Sequence, residues 1–457
     1  MKKILIYMLV TISAALMLLL TGCGEKTETF STVTDSEIFQ EVPLMAGENL
    51  EFSEVQEVGG GNFMIWARHT TKSEYDNYLA LLEKSGFEKH VDNGEGVEGY
   101  IYTSHYLKED FLVVVSYFTK LKDATITVCE KAELSKHLVY DESEVKKNPA
   151  DAKTTLTMPE LWEAGNSFVF QLKNGHFIIN DGGYEQDLPY LLDYLEEKAP
   201  NGEKPIVDAW IISHAHSDHM GPFIAASEHP EWCSRIYLEE AYFTEPSKEA
   251  YEIVGKNGTT TSLGFYCRTV PSMFKTTKGE SAKVYRMREG ERYFFNDITM
   301  DVIYTPELLS VDEWKTWNAT SVVLMYTIEE QKVMITADTD WECQMYMLKM
   351  FDDEYLSDLT LYQAPHHGGN VYTEVVSHIK TETVLYPTDM VRRMPNHLLG
   401  RKLQNEYLQN ERAKESLGWK EGGVVLTFPY HVGEYERLPL TEWKYTKETA
   451  ARIKRVY

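Results

Sequence analysis

Apolar residues change their spacing along this chain, and each change marks a different kind of segment. Ile4 to Leu20 is an almost unbroken apolar run behind Lys2 and Lys3, and a polar stretch rich in Thr, Ser and Glu follows to about residue 45. Further on, Tyr75, Tyr78, Leu79 and Leu82 recur at helical spacing and make one apolar face. "SEYDNYLALLEKSG" therefore predicts a helix, with Ser73 as N-cap and Gly86 just past its end. "GGGNFMIWARHT" predicts a strand after a glycine turn, and "FLVVVSYF" with "ATITVCE" predicts a hairpin joined through Lys122 and Asp123. Together these elements predict a small α+β accessory domain over residues 46–140. A charged linker, 141–154, comes next.

From about residue 155 strands alternate with helices. "NSFVFQLKNGHFIINDGG" reads as two strands around the tight turn Asn174-Gly175, and "LPYLLDYLEEK" as an amphipathic helix. "IVDAWIIS" is a continuous apolar strand of the kind buried on both faces. Later strand candidates are "RIYL", "ITMDVIY", "TSVVLMYTI", "KVMITA", "LTLYQA", "TVLYP" and "GVVLTF", several with helical segments between them. That alternation predicts a layered α/β domain over residues 155–435, followed by a C-terminal tail, 436–457.

The N-terminal run changes the picture of where such a domain works. A basic start, a short apolar stretch and the small residues of "LTGC", Leu20 to Cys23, have the form of a secretory leader. The cysteine directly after Thr21-Gly22 resembles the bacterial lipoprotein signal, in which the thiol is acylated. The expected layout is a signal peptide at 1–22, a lipidated Cys23 and a polar tether at 23–45. It implies an extracytoplasmic protein lipid-anchored to a bacterial cell membrane. The formal net charge of −26 opposes broad nucleic-acid binding, which needs a basic footprint. It suits a small-molecule or head-group substrate. The other cysteines, Cys129, Cys233, Cys267 and Cys343, form no C-x-x-C pair, so neither a thiolate zinc site nor a disulfide framework is indicated.

Chemistry concentrates just beyond the "IVDAWIIS" strand, in "SHAHSDHMG", Ser213 to Gly221. His214 and His216 alternate on an extended segment and can face one point; Asp218 and His219, a turn further, can face a second. By composition alone His-x-His-x-Asp-His arises in roughly one chain in a thousand of this size. Imidazole and carboxylate donors together suit divalent metal ions, zinc first and manganese second. His69, His90, His105, His176, His229, His378 and His431 lack such spacing and read as structural or surface residues.

With these residues in view, the chain resembles the metallo-β-lactamase superfamily of metal-dependent hydrolases over about residues 160–430. That resemblance implies an αββα sandwich behind the small α+β domain. It implies that Asp181, at the end of "FIINDGG", supports the metal loop, and that Asp338, in "VMITADTD", bridges two metals. In "LYQAPHHGG" either His366 or His367 completes the second metal. The Pro-x-His-Gly pattern favours His367 as the ligand, with His366 as a substrate or proton-transfer group. The implied ligand set is His214, His216, Asp218, His219, Asp338 and His367, with Asp218, His366 and His397 as catalytic groups.

One departure matters. Most superfamily members carry a further histidine between the first motif and the bridging aspartate, and here no histidine lies between His229 and His366. The hydrolase domain of bacterial DNA-uptake competence channel proteins shares that absence and is the nearest resemblance. Thr336-Ala337-Asp338 stands where those proteins have Thr-Gly-Asp, "NATSVVL" from Asn318 resembles their Asn-containing strand, and "MPNHLLGRKL", with Asn396 and His397, their late segment. Arg392 and Arg393 could grip a phosphate, or be an ordinary solvated pair. The expected activity is hydrolysis of phosphoester or phosphodiester bonds by a two-metal-activated water. Acyl hydrolysis of the lactamase or lactonase type, and a non-catalytic metal- or glycan-binding lipoprotein, are the alternatives.

Overall fold

The computed structural model describes residues 42–440 apart from 93–96, 131–133, 255–258, 311–312, 315, 389–400 and 420–421. The expected leader at 1–22, Cys23, Arg392, Arg393, Asn396, His397 and most of the tail lie outside the described residues.

The first helix runs Lys72–Lys84 and buries Tyr75, Tyr78, Leu79 and Leu82, the face expected from their spacing. Its N-cap is Thr71 rather than Ser73. The Thr71 hydroxyl accepts the Glu74 amide at 3.2 Å while Glu74 Oε2 accepts the Thr71 amide at 2.7 Å. This reciprocal capping box satisfies two of the backbone donors that open the helix. The helix packs on an antiparallel sheet ordered Glu51–Phe52, Asn62–Arg68, Asp123–Glu130, Phe111–Phe118, Ile101–Lys108 and Glu88–Asp92, with Gln56–Gly59 beside the second strand. The hairpin through Lys122 is as expected, whereas Ile101–Lys108 gave no strand signal. Its centre, Thr103, Ser104 and His105, is polar yet fully buried.

Two further sheets lie face to face. The first is ordered Lys283–Tyr285, Tyr237–Phe243, Ile206–Ile212, Phe177–Asp181, Ser167–Gln171, Thr155–Met158, Val424–Thr427 and Tyr435–Arg437. The second is ordered Arg292–Phe295, Ile298–Tyr304, Val323–Ile328, Gln331–Ile335, Leu359–Gln363, Thr381–Leu385 and Ala413–Leu417. Phe168, Phe170, Ile178 and Ile211 from one sheet and Tyr293, Val302, Leu324 and Ile335 from the other share a single buried core. Helices Leu188–Lys198 and Ser217–Glu228 cover the outer face of the first sheet through Leu192, Leu195 and Phe223. Helix Trp341–Met350 covers the second through Met347 and Met350. This is the expected αββα sandwich.

The N-terminal sheet is docked on the sandwich. Met64, Trp66 and Phe118 join the core outside the second sheet, together with Met347 and Phe351. A buried polar seam runs alongside. His105 Nε2 lies 2.9 Å from Glu291 Oε1, both side chains fully buried, and Arg288 Nη2 donates to Asn62 Oδ1 at 2.9 Å. Thr125 and Thr305 donate to the two Glu289 carboxylate oxygens at 3.0 Å each, and the Thr103 and Ser116 hydroxyls donate to the Glu289 carbonyl. At Gly290, whose φ is +79°, an added Cβ would sit 2.1 Å from Thr103 Oγ1. Only glycine allows the sheet to approach so closely.

Burial, and after it the neighbouring Glu307, push the Glu289 carboxyl up from 4.5 to about 7. Between those values the folded protein keeps a proton that the unfolded chain has lost, so this group makes stability fall as pH rises. Glu289→Gln keeps the shape without the ionisation. The metal-free variant should be more stable than the parent at pH 8, by a margin on the order of 2 kcal/mol that closes below about pH 4.5. Urea unfolding across pH checks this; parallel stability-against-pH curves for the two proteins would rule it out.

Candidate metal centre

Both sheets deliver their chemistry at the C-terminal ends of their strands, the end where open α/β sheets bind ligands. From the first sheet, Phe177–Asp181 ends on Asp181, and Ile206–Ile212 leads into Ser213 and His214. From the second, Asp338 follows Gln331–Ile335, and His366 and His367 follow Leu359–Gln363.

Asp181 is fully buried and accepts four hydrogen bonds. Ser213 donates its amide and its hydroxyl at 2.8 Å each, Asn166 Nδ2 donates at 2.7 Å, and His219 Nδ1 lies 2.9 Å away. The last bond fixes the His219 tautomer and aims its Nε2 away from Asp181, the arrangement by which carboxylates orient metal-binding imidazoles. Helix Ser217–Glu228, with His216 as N-cap, carries Asp218 and His219 in its first turn. Pro222 lacks the N–H that would bond the Asp218 carbonyl, and that carbonyl instead accepts the Asn166 amide at 3.0 Å. A Cβ at Gly221 would meet the Tyr184 backbone at 2.4 Å, so the helix can lie on the loop after Asp181 only with glycine there.

Two groups of donors result, each with ligand atoms within 4.8 Å of one another: His214, His216 and Asp338; and Asp218, His219, Asp338 and His367. Asp338 is common to both. In the first, His214 Nε2 and His216 Nδ1 are 2.9 Å apart, and His214 Nε2 is 3.9 Å from Asp338 Oδ2. In the second, His219 Nε2 is 3.2 Å from Asp338 Oδ1, and His367 Nε2 is 3.2 Å from Asp218 Oδ2 and 3.5 Å from Asp338 Oδ1. His366 falls in neither group. Its Nε2 is 3.6 Å from Asp338 Oδ2, and its side chain is 27% exposed against 1% for His367. Asn318 Nδ2 lies 3.5 Å from His366 Nδ1.

The electrostatics follow from burial and neighbours. Burial, then the adjacent His219 and His216, holds His214 well below the usual imidazole value, and burial lowers His216. Burial also opposes charge on His219, but Asp338, Asp181 and Asp218 outweigh it and hold that imidazole well above its usual value. Burial would raise Asp338; His219, His367 and His366 overcome this and keep it ionised, and Asp218 is held low in the same way by His219 and His367. Both Asp338 carboxylate oxygens and His219 Nε2 are buried with no hydrogen-bond partner among the described residues. An ionised carboxylate left so is costly, and a bound cation removes the cost. Four imidazoles and two carboxylates with no thiolate fit divalent metal ions. Uptake would displace the His219 proton, so affinity should weaken as pH falls.

The backbone is strained at the same place. Asp181, Ala337, His366 and His367 all have positive φ, at 59°, 50°, 52° and 54°. Such conformations persist where surrounding bonds over-determine them. Here the His366 amide donates to the Ala337 carbonyl at 2.9 Å, and Gln363 Nε2 donates to the same carbonyl at 2.9 Å. Asn370 Nδ2 donates to the Asp338 carbonyl at 3.1 Å. Asn166, Gln363 and Asn370 had no signal in the sequence, since each acts across a fold contact. Ser213 stood inside the histidine stretch but carried no spacing that marked it.

Residues 161–350 match the family model described as the metallo-beta-lactamase superfamily. No curated protein matches the chain. Among solved structures, the metallo-beta-lactamase fold protein YhfI from Bacillus subtilis is 15% identical. That match covers 61% of this chain and 100% of that one, with a TM-score of 0.37. A proposed metal-dependent hydrolase from Parabacteroides distasonis is 9% identical. It covers 70% of this chain and 98% of that one, with a TM-score of 0.30.

If Asp181 sets the orientation of His219, Asp181→Asn should keep the fold and lower zinc affinity about 10- to 100-fold. Competition with a zinc-binding dye reads this directly. Unchanged affinity would mean that Asp181 only ties loops together.

Proposed function

We propose that this protein is a two-metal hydrolase of phosphoester bonds, most readily small phosphodiesters, tethered outside the cell by a lipid on Cys23. The observation that carries this reading is the shared Asp338, buried, ionised, with neither oxygen hydrogen-bonded among the described residues, where two groups of imidazole donors meet. His214, His216 and Asp338 would hold one ion, and Asp218, His219, Asp338 and His367 the other. The imidazole-rich donor set favours zinc, with manganese second. The chemistry such a pair supplies is activation of a water near neutral pH and stabilisation of the charge that develops on both sides of an in-line displacement.

The chain's own residues do the rest. Asp181 and Ser213 keep the histidine loop in place, and the buried His214, His219 and His367 keep bulk water from the inner face of the cluster. His366, half open and 3.6 Å from Asp338 Oδ2, can carry a proton between the site and solvent and pass it to a leaving oxygen. Asn318 steadies the other ring nitrogen. A chain of net charge −26 repels polyanions, which favours a small phosphodiester or a choline-type head group over nucleic acid.

The first test is zinc-supplemented hydrolysis of bis(p-nitrophenyl) phosphate by the detergent-solubilised full chain. The parent should turn over, and Asp338→Asn should lose at least about 100-fold of that rate with metal content reduced. A folded, metal-loaded parent without activity would move the reading to acyl substrates; a parent that takes up no metal would leave a binding protein. His366→Ala should lower kcat while retaining bound metal, whereas His367→Ala should lose metal. The opposite pattern would exchange their roles. Cys23→Ser should shift the protein from the membrane fraction to the soluble one, and retention would mean that a spanning segment does the anchoring.

A further inference from the structure

Of the nine arginines among the described residues, eight are committed to partners within the protein. Arg68, Arg235, Arg268, Arg286, Arg288 and Arg292 donate to carboxylates, and Arg412 and Arg437 donate to backbone carbonyls. Arg401 is the exception. Its side chain donates to no group among the described residues, in a chain whose acidic residues outnumber its Lys and Arg 71 to 45. The half-buried guanidinium lies instead over the Tyr372 ring, 4.5 Å from the centroid. Contact through the flat face leaves the in-plane N–H donors available to an anion. Asp340, whose charge acts on the same tyrosine, is bonded to Cys343 and Thr316 and not to Arg401.

The position of this cation is fixed beside the metal centre. Arg401 precedes helix Lys402–Tyr407, in which Asn405 is buried. Asn405 Nδ2 donates to the Arg401 and Gly368 carbonyls at 2.9 Å each, so those two oxygens lie less than about 6 Å apart. Gly368 directly follows His367. The aromatic platform is tied to the neighbouring strand end. Tyr372 meets the Trp341 ring edge-on at 5.1 Å, and Trp341 opens the helix capped by Asp340, just after Asp338. Two residues before Tyr372, Asn370 Nδ2 donates to the Asp338 carbonyl at 3.1 Å. Arg401 is thus held, main chain and side chain, against the segments that carry His367 and Asp338. A solvated surface arginine has neither tie.

We infer that Arg401 grips the phosphoryl group of the substrate, its guanidinium donating to a non-bridging oxygen of the diester. This rests on the phosphoesterase reading and names what that reading leaves open. The anionic phosphoryl oxygens are what the protein recognises, rather than a cation carried by the alcohol. An acidic chain repels such an anion, and one unpaired guanidinium beside the centre reverses the sign locally. A neutral acyl ester offers that guanidinium no charge, so the same residue separates phosphoesters from acyl substrates.

Two measurements on the detergent-solubilised full chain with zinc test this. Mass spectrometry after brief phenylglyoxal treatment reads the reactivity of each arginine, with and without dimethyl phosphate, a small diester that is cleaved too slowly to be consumed. Hydrolysis of bis(p-nitrophenyl) phosphate separates KM from kcat. Arg401 should react, and the diester should protect it. Arg401→Gln should raise KM about tenfold or more, with bound zinc unchanged and kcat altered less than about threefold. Arg401→Lys keeps the charge but loses the planar fork, and its KM should fall between the two. An unreactive or unprotected Arg401, a KM unmoved in both variants, or protection of Arg392 or Arg393 in its place would overturn the assignment. So would loss of zinc from Arg401→Gln, which would make the residue a support of the metal turn. A parent that cleaves no diester yet shows Arg401 protected would keep the anion site and end the phosphodiesterase reading alone.

Discussion

The Asp181 carboxylate, buried without any exposure and held by four donors, is the interaction on which the rest of the centre depends. A charge taken out of water costs several kcal/mol unless hydrogen bonds replace the hydration, and Asn166, Ser213 and His219 supply that replacement. In doing so they bring together three segments that are distant in sequence. The 166 segment, the strand end at 181 and the loop at 213–219 all converge on this carboxylate. His219 gains its tautomer from the contact, and the helix bearing Asp218 gains its position. The left-handed backbone at Asp181 is part of the same device, since it turns the chain sharply at the point where the carboxylate must face inward.

The second sheet contributes in a complementary way. Among the described residues it brings Asp338, which follows the strained Ala337, and the strained His366-His367 turn, each bonded to the other's segment. The two halves of the centre therefore exist only when the sandwich closes. The Val322 amide, which donates to the Ser213 carbonyl at 3.1 Å, stitches the halves directly. Asp338 is then the one residue from the second sheet that both groups share. Its burial makes it expensive in an apo protein and well suited to a bridging role.

Legibility from sequence followed the range of the interactions. Helix Leu188–Lys198 and strand Ile206–Ile212 emerged where the apolar spacing placed them, because periodicity is a local signal read by a single core. His214 to His219 were legible for the same reason, all four lying within six residues. Asp338 and His367 needed the resemblance, since nothing in "ITADTD" or "PHHGG" by itself says that they face a loop more than a hundred residues earlier. Asn166 could not be found at all: its role depends on Pro222 freeing a carbonyl, a relation between two residues that only the fold makes neighbours. The attachment of the N-terminal sheet to the sandwich was not legible. The polar run Thr103, Ser104, His105 gave no strand signal, and the presence of Glu289 and Glu291 opposite turns those residues into a docking face. The helix cap moved from Ser73 to Thr71 because Glu74 reaches Thr71 and closes a box there.

The two donor groups are unequal, and the inequality has a direction. On the proposed reading the group of Asp218, His219, Asp338 and His367 offers four protein donors, enough to close a tetrahedral site. The group of His214, His216 and Asp338 offers three and leaves a position for a water or a substrate oxygen. A closed site favours retention, and an open one favours exchange. His366 stands beside the Asp338 oxygen nearest the open group, since its Nε2 and that of His214 both approach Oδ2. The half-exposed imidazole, the open position and the shared carboxylate oxygen thus fall on one side of the centre, and the closed group and its Asp181 support on the other. The absence of a further histidine between His229 and His366 is then consistent with function: it leaves the reactive side the one that must admit a substrate.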